Sequence, residues 1–183
     1  MKPILPAFAG HVPAALKHSR PGAKISQLPP WHGHMPPGQG SWFLDPADPL
    51  FKEIGGAFIR RQLNAYNDTG YVQTSPHYYL ADPYNEMPPP NSSTVFLASV
   101  GNAIYSSMTA ADSKTVWTLQ AWFLSAVPKA PWGVSGPCSL AARRLADSLS
   151  SRLQLEQARA FLSAPPKGSL LMLDLNAISN PVW

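Results

Sequence analysis

The stretch that decides the fold is residues 78–123, YYLADPYNEMPPPNSSTVFLASVGNAIYSSMTAADSKTVWTLQAWF. It opens with a short apolar run, Tyr78–Ala81, and closes with a second one, Val116–Phe123, and both have the length of strands. Between them, Ser92–Ala110 repeats apolar side chains every four residues, as a helix with one buried face does. The repeating side chains are Phe96, Val100, Ile104 and Met108. A strand, a helix and a second strand in this order predict a βα unit of a parallel sheet.

The same alternation continues on both sides of this stretch. Ile4–Phe8 is a short apolar run, and Leu50–Tyr66 is periodic like a helix, with apolar residues at Phe51, Ile54, Phe58, Ile59 and Leu63. Asp48-Pro49 provides an N-cap and a first-turn proline for that helix. Leu140–Ser163 predicts a long helix, and residues 169–175 predict a last, buried strand.

The fold class predicted is therefore α/β, with about four parallel strands and outer helices. This is roughly half of a (β/α)8 TIM barrel, which needs ~250 residues. Both edge strands are apolar, so we expect neighbouring strands of the barrel to be missing at both edges. Residues 17–50 are rich in proline and without periodicity, and they predict one long loop.

Composition excludes several classes of protein. The chain has 183 residues, enough for one domain, and its net charge of +4 arises from 14 basic and ten acidic residues. Its only adjacent basic pairs are Arg60-Arg61 and Arg143-Arg144, so no basic stripe indicates nucleic-acid binding. No apolar run reaches the ~18 residues of a membrane span, and the N-terminal residues lack a signal-peptide pattern. The single cysteine, Cys138, excludes an internal disulfide.

Polar and aromatic side chains follow the ends of the predicted strands, where parallel sheets place their functional residues. His11 follows the first strand, Asn85 and Glu86 follow the second, and Gln120 and Trp122 end the third. Aromatic faces and a few polar groups are what a sugar-binding site needs. A carboxyl among apolar neighbours has a raised pKa and can act as a general acid, although a solvated loop residue is the simpler interpretation of Glu86.

Five segments stand in the order found in one family of enzymes. They are Pro6-Ala7-Phe8-Ala9-Gly10-His11-Val12-Pro13, Tyr84-Asn85-Glu86-Met87-Pro88-Pro89, Met108-Thr109-Ala110-Ala111-Asp112, Val116-Trp117-Thr118-Leu119-Gln120-Ala121-Trp122 and Leu173-Asp174-Leu175. The chain resembles the catalytic barrel of the α-N-acetylglucosaminidases, the retaining enzymes of glycoside hydrolase family 89. The resemblance covers most of residues 2–132 and 156–183.

This resemblance implies roles for four residues. The family's general acid/base falls on Glu86, and Asn85 matches an amide that contacts the sugar. Trp122 and Trp31 match aromatic walls of the pocket, whereas His11 belongs to a family motif without an assigned role. The implied substrate is a glycan that ends in N-acetylglucosamine, such as heparan sulfate, the implied location is lysosomal or secreted, and no cofactor or metal is implied.

The chain also departs from the family. Tyr84 stands where the family has phenylalanine, and Asn176-Ala177-Ile178 replaces a segment that ends in glutamate. Residues 133–154 resemble an insertion. No acid matches the family's nucleophile, and a retaining glycosidase needs two carboxyls ~5–5.5 Å apart. Residues 1–183 are thus expected to form a partial catalytic barrel, inactive alone, without the family's N-terminal domain, the rest of the barrel and the C-terminal helical domain.

The sequence allows four other interpretations of its function. His32 and His34 could bind a metal, but two histidines without a further ligand are too few for a zinc site. Ser41, His11 and Asp45 could form a triad, but no Gly-x-Ser-x-Gly elbow supports it. The proline clusters could instead be ligands of proline-binding modules, in a non-enzymatic interaction protein. A paralogue that binds sugar without cleaving it also stays open.

Overall fold

The structure is a computed structural model, and it describes residues 2–28, 39–84, 89–120 and 155–173. Seven strands, four α-helices and one 3-10 helix (Asn67–Thr69) lie within these residues. In chain order the strands and α-helices are β1 (Ile4–Pro6), β2 (His11–Val12), α1 (Leu16–Ser19), β3 (Ile25–Gln27), β4 (Trp42–Leu44), α2 (Pro49–Ala65), β5 (His77–Leu80), α3 (Thr94–Thr109), β6 (Thr115–Gln120), α4 (155–161) and β7 (Leu170–Leu173).

The main sheet has four strands in the order β1-β5-β6-β7, and every pair in it is parallel. Ile4 pairs with Tyr78, Tyr79 with Trp117, and Trp117 with Leu170. Each strand lies beside the next one of the predicted alternation, which confirms an α/β fold consistent with part of a TIM barrel. The predicted extensions of the third and fourth strands, beyond Gln120 and Leu173, lie outside the described residues.

Helices cover the face of the sheet on which Tyr79 and Trp117 lie. The Trp117 ring meets the Phe161 ring of α4 edge-on, with centroids 5.2 Å apart. Every residue of β6 except Gln120 is buried, as expected for a central parallel strand. Among the described strands, β6 is the most completely buried, and its carboxyl end leads to the predicted site.

The two long helices begin at side-chain caps. Asp48 Oδ1 accepts a hydrogen bond from the Leu50 amide at 2.9 Å, and Pro49 is the first residue of α2. Ser93 Oγ accepts from the Phe96 amide at 3.3 Å at the start of α3. Both predicted helices are confirmed, but Phe58 of the α2 stripe is wrongly assigned to the buried face, because 40% of its surface is exposed.

Residues 17–50 were predicted to be one long loop, and this expectation is wrong for the residues that the structure describes. Together with β2, strands β3 and β4 form a second, antiparallel sheet in the order β2-β4-β3. These strands have two or three residues each. Strands so short show no measurable alternation of polar and apolar residues, which explains why the sequence pattern missed them.

The outer strands of the main sheet expose apolar side chains. Ile4 on β1 is 41% exposed, and Leu171 and Met172 on β7 are 37% and 46% exposed. This exposure agrees with the expectation that further strands of a barrel cover both edges, although residues 169–175 were also expected to be buried. Of the predicted helix Leu140–Ser163, only residues 155–161 are described as helical. None of the helices in the described ranges is long and apolar enough to cross a membrane.

A buried polar cluster holds the amino-terminal ends of β5 and β6. Asp112 Oδ2 accepts hydrogen bonds from His77 Nδ1 at 2.5 Å and from the Tyr79 hydroxyl at 2.7 Å, and Asp112 Oδ1 accepts from the Lys114 amide at 2.9 Å. Burial raises the pKa of Asp112, but these hydrogen bonds more than offset it and hold that pKa below its usual value. The cluster lies opposite the predicted site, at the end where barrels carry stability and not catalysis.

Candidate active site

The four residues that the resemblance places in the pocket all lie outside the described residues. They are Glu86, Asn85, Trp122 and Trp31. Their convergence therefore stays a prediction. The described residues that lead up to Glu86 and Trp122 do lie at the carboxyl ends of the parallel strands, where the chain predicts the site.

Three hydrogen bonds join the end of β5 to β6 beyond the regular ladder. The Ala81 amide donates to the Thr118 carbonyl at 3.2 Å, and Trp117 Nε1 donates to the Ala81 carbonyl at 3.0 Å. Asp82 Oδ1 accepts from the Gln120 amide at 3.1 Å. Asp82 precedes Glu86 by four residues and Gln120 precedes Trp122 by two, so the segments that enter the predicted pocket start side by side.

Asp82 is a candidate site residue that the sequence analysis missed. Asp82 lies two residues beyond β5, and its Oδ1 reaches the Gln120 amide at the carboxyl end of β6. Burial raises its pKa to about 6, while the hydrogen bond from the Gln120 amide acts in the opposite direction. The available signal was an acid directly after a predicted strand, four residues before the candidate general acid.

His11 connects the small sheet to the segment after β5. Its Nε2 lies 2.7 Å from the Pro83 carbonyl, and its Nδ1 lies 3.1 Å from Ser41 Oγ. A carbonyl only accepts, so Nε2 carries the proton and Nδ1 accepts from the Ser41 hydroxyl. Burial lowers the pKa of His11, which favours this neutral form.

The alternative Ser41–His11–Asp45 triad is not assembled. Both ring nitrogens of His11 are engaged elsewhere, by Ser41 and by the Pro83 carbonyl. Asp45 Oδ1 accepts from the Ala47 amide at 2.8 Å. A triad needs a carboxylate on the second nitrogen of its histidine, and Asp45 does not occupy that position.

Gly10 and Tyr84 complete the packing around His11. Gly10 has a φ of +101°, and a Cβ at this position would lie 2.5 Å from the Phe43 ring, so only glycine fits. Tyr84 is fully buried, and its ring centroid lies 5.5 Å from that of Phe43. Burial raises the pKa of the Tyr84 hydroxyl, which stays neutral.

A cavity of about 260 Å³ lies beside the segment that follows Glu86. Its lining combines polar and aromatic groups from β3, β4 and the approach to α3, including Lys24, Ser26, Phe43, Asp45 and Asn91. Among the described residues, no group of three or more histidine, cysteine, aspartate or glutamate side chains could hold a metal ion. His32 and His34, the candidate metal ligands, lie outside those residues.

A parallel sheet with helices on one face, and polar side chains gathered at the carboxyl ends of its strands, defines part of a (β/α)8-barrel enzyme. Comparison with known proteins shows the family to which this part of a barrel belongs. The family described as the α-N-acetylglucosaminidase (NAGLU) tim-barrel domain matches residues 1–135, and the chain belongs to this family. Human α-N-acetylglucosaminidase is 37% identical over 184 aligned positions, which include the whole chain.

Solved structures of bacterial enzymes share the fold. A family 89 glycoside hydrolase from Clostridium perfringens, in complex with 2-acetamido-1,2-dideoxynojirmycin, superposes with a TM-score of 0.65 at 19% identity over the whole chain. A variant from the same organism, in which two glutamates are replaced by glutamine, in complex with its substrate GlcNAc-alpha-1,4-galactose, gives a TM-score of 0.65 at 18% identity over the whole chain. The chain spans 21% of the human protein and 16% of the bacterial chains, so it corresponds to a small part of each.

Proposed function

We propose that this chain provides the acid/base side of the active site of a retaining α-N-acetylglucosaminidase. The observation that carries the proposal is membership of the family over residues 1–135, a range that contains the Asn85-Glu86-Met87 motif. The described end of β5 supports it, because Asp82, Pro83 and Tyr84 run towards Glu86 from the carboxyl edge of the sheet. The substrate is a glycan that ends in α-linked N-acetylglucosamine, such as heparan sulfate.

The proposed reaction has two steps. In the first, a second carboxylate attacks the anomeric carbon, while Glu86 donates its proton to the glycosidic oxygen of the leaving group. In the second, Glu86 takes a proton from water, the water oxygen attacks the anomeric carbon, and the enzyme carboxylate leaves. Glu86 thus returns to its protonated form, and N-acetylglucosamine is released with retained configuration.

The other site residues serve binding in this proposal. Asn85 hydrogen-bonds the sugar, and the Trp122 and Trp31 rings stack on its apolar faces. No acid of the chain matches the family's nucleophile, so we expect the 183-residue chain by itself to have no turnover. A lysosomal or secreted location, and the assignment of residues 133–154 as an insertion within a partial barrel, are further parts of this proposal.

The test compares substrates with good and poor leaving groups. In the full-length protein that contains this chain, Glu86→Gln should lower kcat/KM for a natural disaccharide by about 10²–10⁴-fold. An aryl glycoside with an activated leaving group needs little protonation, so its first step should be affected much less. Glu53→Gln is the matched control, because Glu53 is exposed on α2 and pairs only loosely with Arg20 at 3.8 Å. Equal loss on both substrates would show that Glu86 is not the acid.

The departure at Asn176-Ala177-Ile178, where the family has a segment that ends in glutamate, favours a second candidate, a protein that binds the sugar without cleaving it. That candidate predicts saturable binding of N-acetylglucosamine and no release of product from the full-length protein. Measured turnover by the unaltered full-length protein would exclude it.

A further inference from the structure

We propose that His11 and Asp82 are positioning residues for Glu86, which hold the start of its segment by hydrogen bonds to the Pro83 carbonyl and from the Gln120 amide. This inference rests on the proposed function, because it assigns Glu86 the role of the group to be positioned. The contacts themselves join described residues only. They come from two different elements, the small sheet and strand β6.

The first contact holds the segment from the side of the small sheet. His11 Nε2 donates to the Pro83 carbonyl at 2.7 Å, a short hydrogen bond that spans 72 positions of the sequence. The ring cannot swing away easily, because Ser41 Oγ occupies Nδ1 and the Phe43 ring meets it edge-on at 5.5 Å. Pro83 stands three residues before Glu86 in the sequence, so His11 holds the segment close to the proposed acid along the chain.

The second contact holds the same segment from the side of β6. The ladder between β5 and β6 ends at the pair Leu80 and Thr118, and Asp82 then continues the connection through its own side chain. Its Oδ1 accepts from the Gln120 amide at 3.1 Å. The two contacts involve the consecutive residues Asp82 and Pro83 and connect them to different elements. Together they restrict both the position and the direction of the chain that leaves β5.

Positioning of this kind has a large effect on catalysis. A displacement of about 1 Å in a reacting group can lower a rate about 10²-fold, even when the altered residue never touches the substrate. Neither His11 nor Asp82 needs to contact the sugar to exert such an effect. Both are fixed by the fold before any substrate arrives, as supporting residues of a preorganised site are.

The first experiment measures amide hydrogen exchange in the full-length protein that contains this chain. His11→Ala and Asp82→Ala should each speed exchange of the Ala81 and Gln120 amides, which are hydrogen-bonded across the end of β5, about tenfold, since each removes one partner of a partly buried hydrogen bond. His11→Gln keeps a donor at the place of Nε2, and Asp82→Asn keeps Oδ1 as an acceptor, so both should exchange no more than about twofold faster than the unaltered chain. His18→Ala and Asp68→Ala are matched controls at exposed positions.

Two outcomes would overturn the proposal. One is exchange in His11→Gln as fast as in His11→Ala, which would show that the ring matters by packing on Phe43 and not by its hydrogen bond. The other is acceleration of exchange at residues 170–173 in parallel with the Ala81 and Gln120 amides, which would show global destabilisation. If the alanine variants fail to fold, the nitrogen chemical shifts of the unaltered His11 ring decide. They should show a proton on Nε2, and a proton on Nδ1 would refute the assignment.

A kinetic measurement separates this proposal from the proposed function. In the full-length protein, His11→Ala should lower kcat for a poor-leaving-group substrate about 10²-fold with KM changed less than about threefold, and His11→Gln should restore most of kcat. A loss confined to KM, or no rescue by glutamine, would contradict a positioning role. If the unaltered protein has no turnover, the proposed function fails, while the exchange experiment still decides whether His11 and Asp82 hold the segment.

Discussion

Replacement of Gly101 by alanine should destabilise the protein strongly. Gly101 lies on α3 where that helix crosses α4, and a Cβ at this position would lie 1.8 Å from the Phe161 carbonyl oxygen and 2.9 Å from its carbonyl carbon. Both atoms belong to the backbone, so no side-chain rotation relieves the clash. The two helices must move apart by more than 1 Å, which also disturbs the contact of the Phe161 ring with Trp117.

The expected cost is at the upper end of the range for overpacking, about 3 kcal/mol. For a chain of this length, that corresponds to a fall in Tm of about 6–12 °C. The assay is thermal unfolding followed by far-UV circular dichroism, supported by urea unfolding. Gly22→Ala is the matched control, because Gly22 has no atom within 4 Å of an added Cβ and no positive φ. That variant should be neutral or slightly stabilising, through a loss of freedom in the unfolded chain.

A fall in Tm of less than about 1 °C for Gly101→Ala, or one equal to that of Gly22→Ala, would refute the packing of α3 on α4. The packing matters for the site, because α3 and α4 cover the sheet face behind Tyr79 and Trp117. Strand β6, which carries Gln120 to the edge of the predicted pocket, has its direction set by this packing.

Three further predictions concern charge and exposed surface. Asp112→Asn should lower the free energy of unfolding by about 3–5 kcal/mol at pH 7, measured by urea unfolding with exposed Asp68→Asn as the control. Because the pKa of Asp112 is lowered, this difference should disappear as pH falls through that pKa. An unchanged unfolding midpoint would contradict the cluster. The pKa of Asp82 is raised to about 6, so its stabilising contribution is complete below about pH 4 and is lost as pH rises through 6. The gain in the free energy of unfolding from Asp82→Asn, relative to the unaltered protein, should therefore be larger at pH 8 than at pH 4 by up to about 3 kcal/mol. If the free energies of unfolding of the two proteins follow parallel pH profiles, this expectation is wrong. The apolar edges at Ile4, Leu171 and Met172 should bind a hydrophobic dye or promote association of the 183-residue chain, and a monomeric chain without dye binding would argue against open edges.

The long elements could be predicted from sequence because their signals are local. The Asp48 cap, the first-turn proline and the four-residue spacing of apolar side chains in α3 all act within a few residues. The ends of α2 and α3 therefore lie within two residues of their predicted positions. The parallel sheet followed from the alternation of strands and helices, since a parallel pair requires a crossover between its strands. The exposure of Phe58 could not be predicted, because the spacing of apolar residues along a helix does not show which elements pack against them.

The small sheet and the contacts around Pro83 could not be predicted, because they depend on residues far apart in the chain. β2 has two residues and pairs with β4 about 30 positions later. His11 reaches Pro83 over 72 positions, and Asp82 reaches Gln120 over 38. Without the fold, His11 was one residue of a family motif without an assigned role, and Asp82 was an acid next to a strand. The resemblance pointed to Glu86 and the tryptophans, whereas the structure adds the residues that hold the start of that segment.

The most direct test of the account is to locate the sugar on the sheet. Nuclear magnetic resonance of the protein titrated with 2-acetamido-1,2-dideoxynojirmycin reports, residue by residue, which amides sense the bound ligand. We expect the largest shifts at the carboxyl ends of the strands, at His11, Asp82 and Gln120, with Glu86 and Trp122 beyond them. We expect no shifts at His77 and Thr115, which lie at the amino ends. Shifts concentrated at the amino ends, or no binding by the full-length protein, would contradict the assignment of an α-N-acetylglucosaminidase site to this chain.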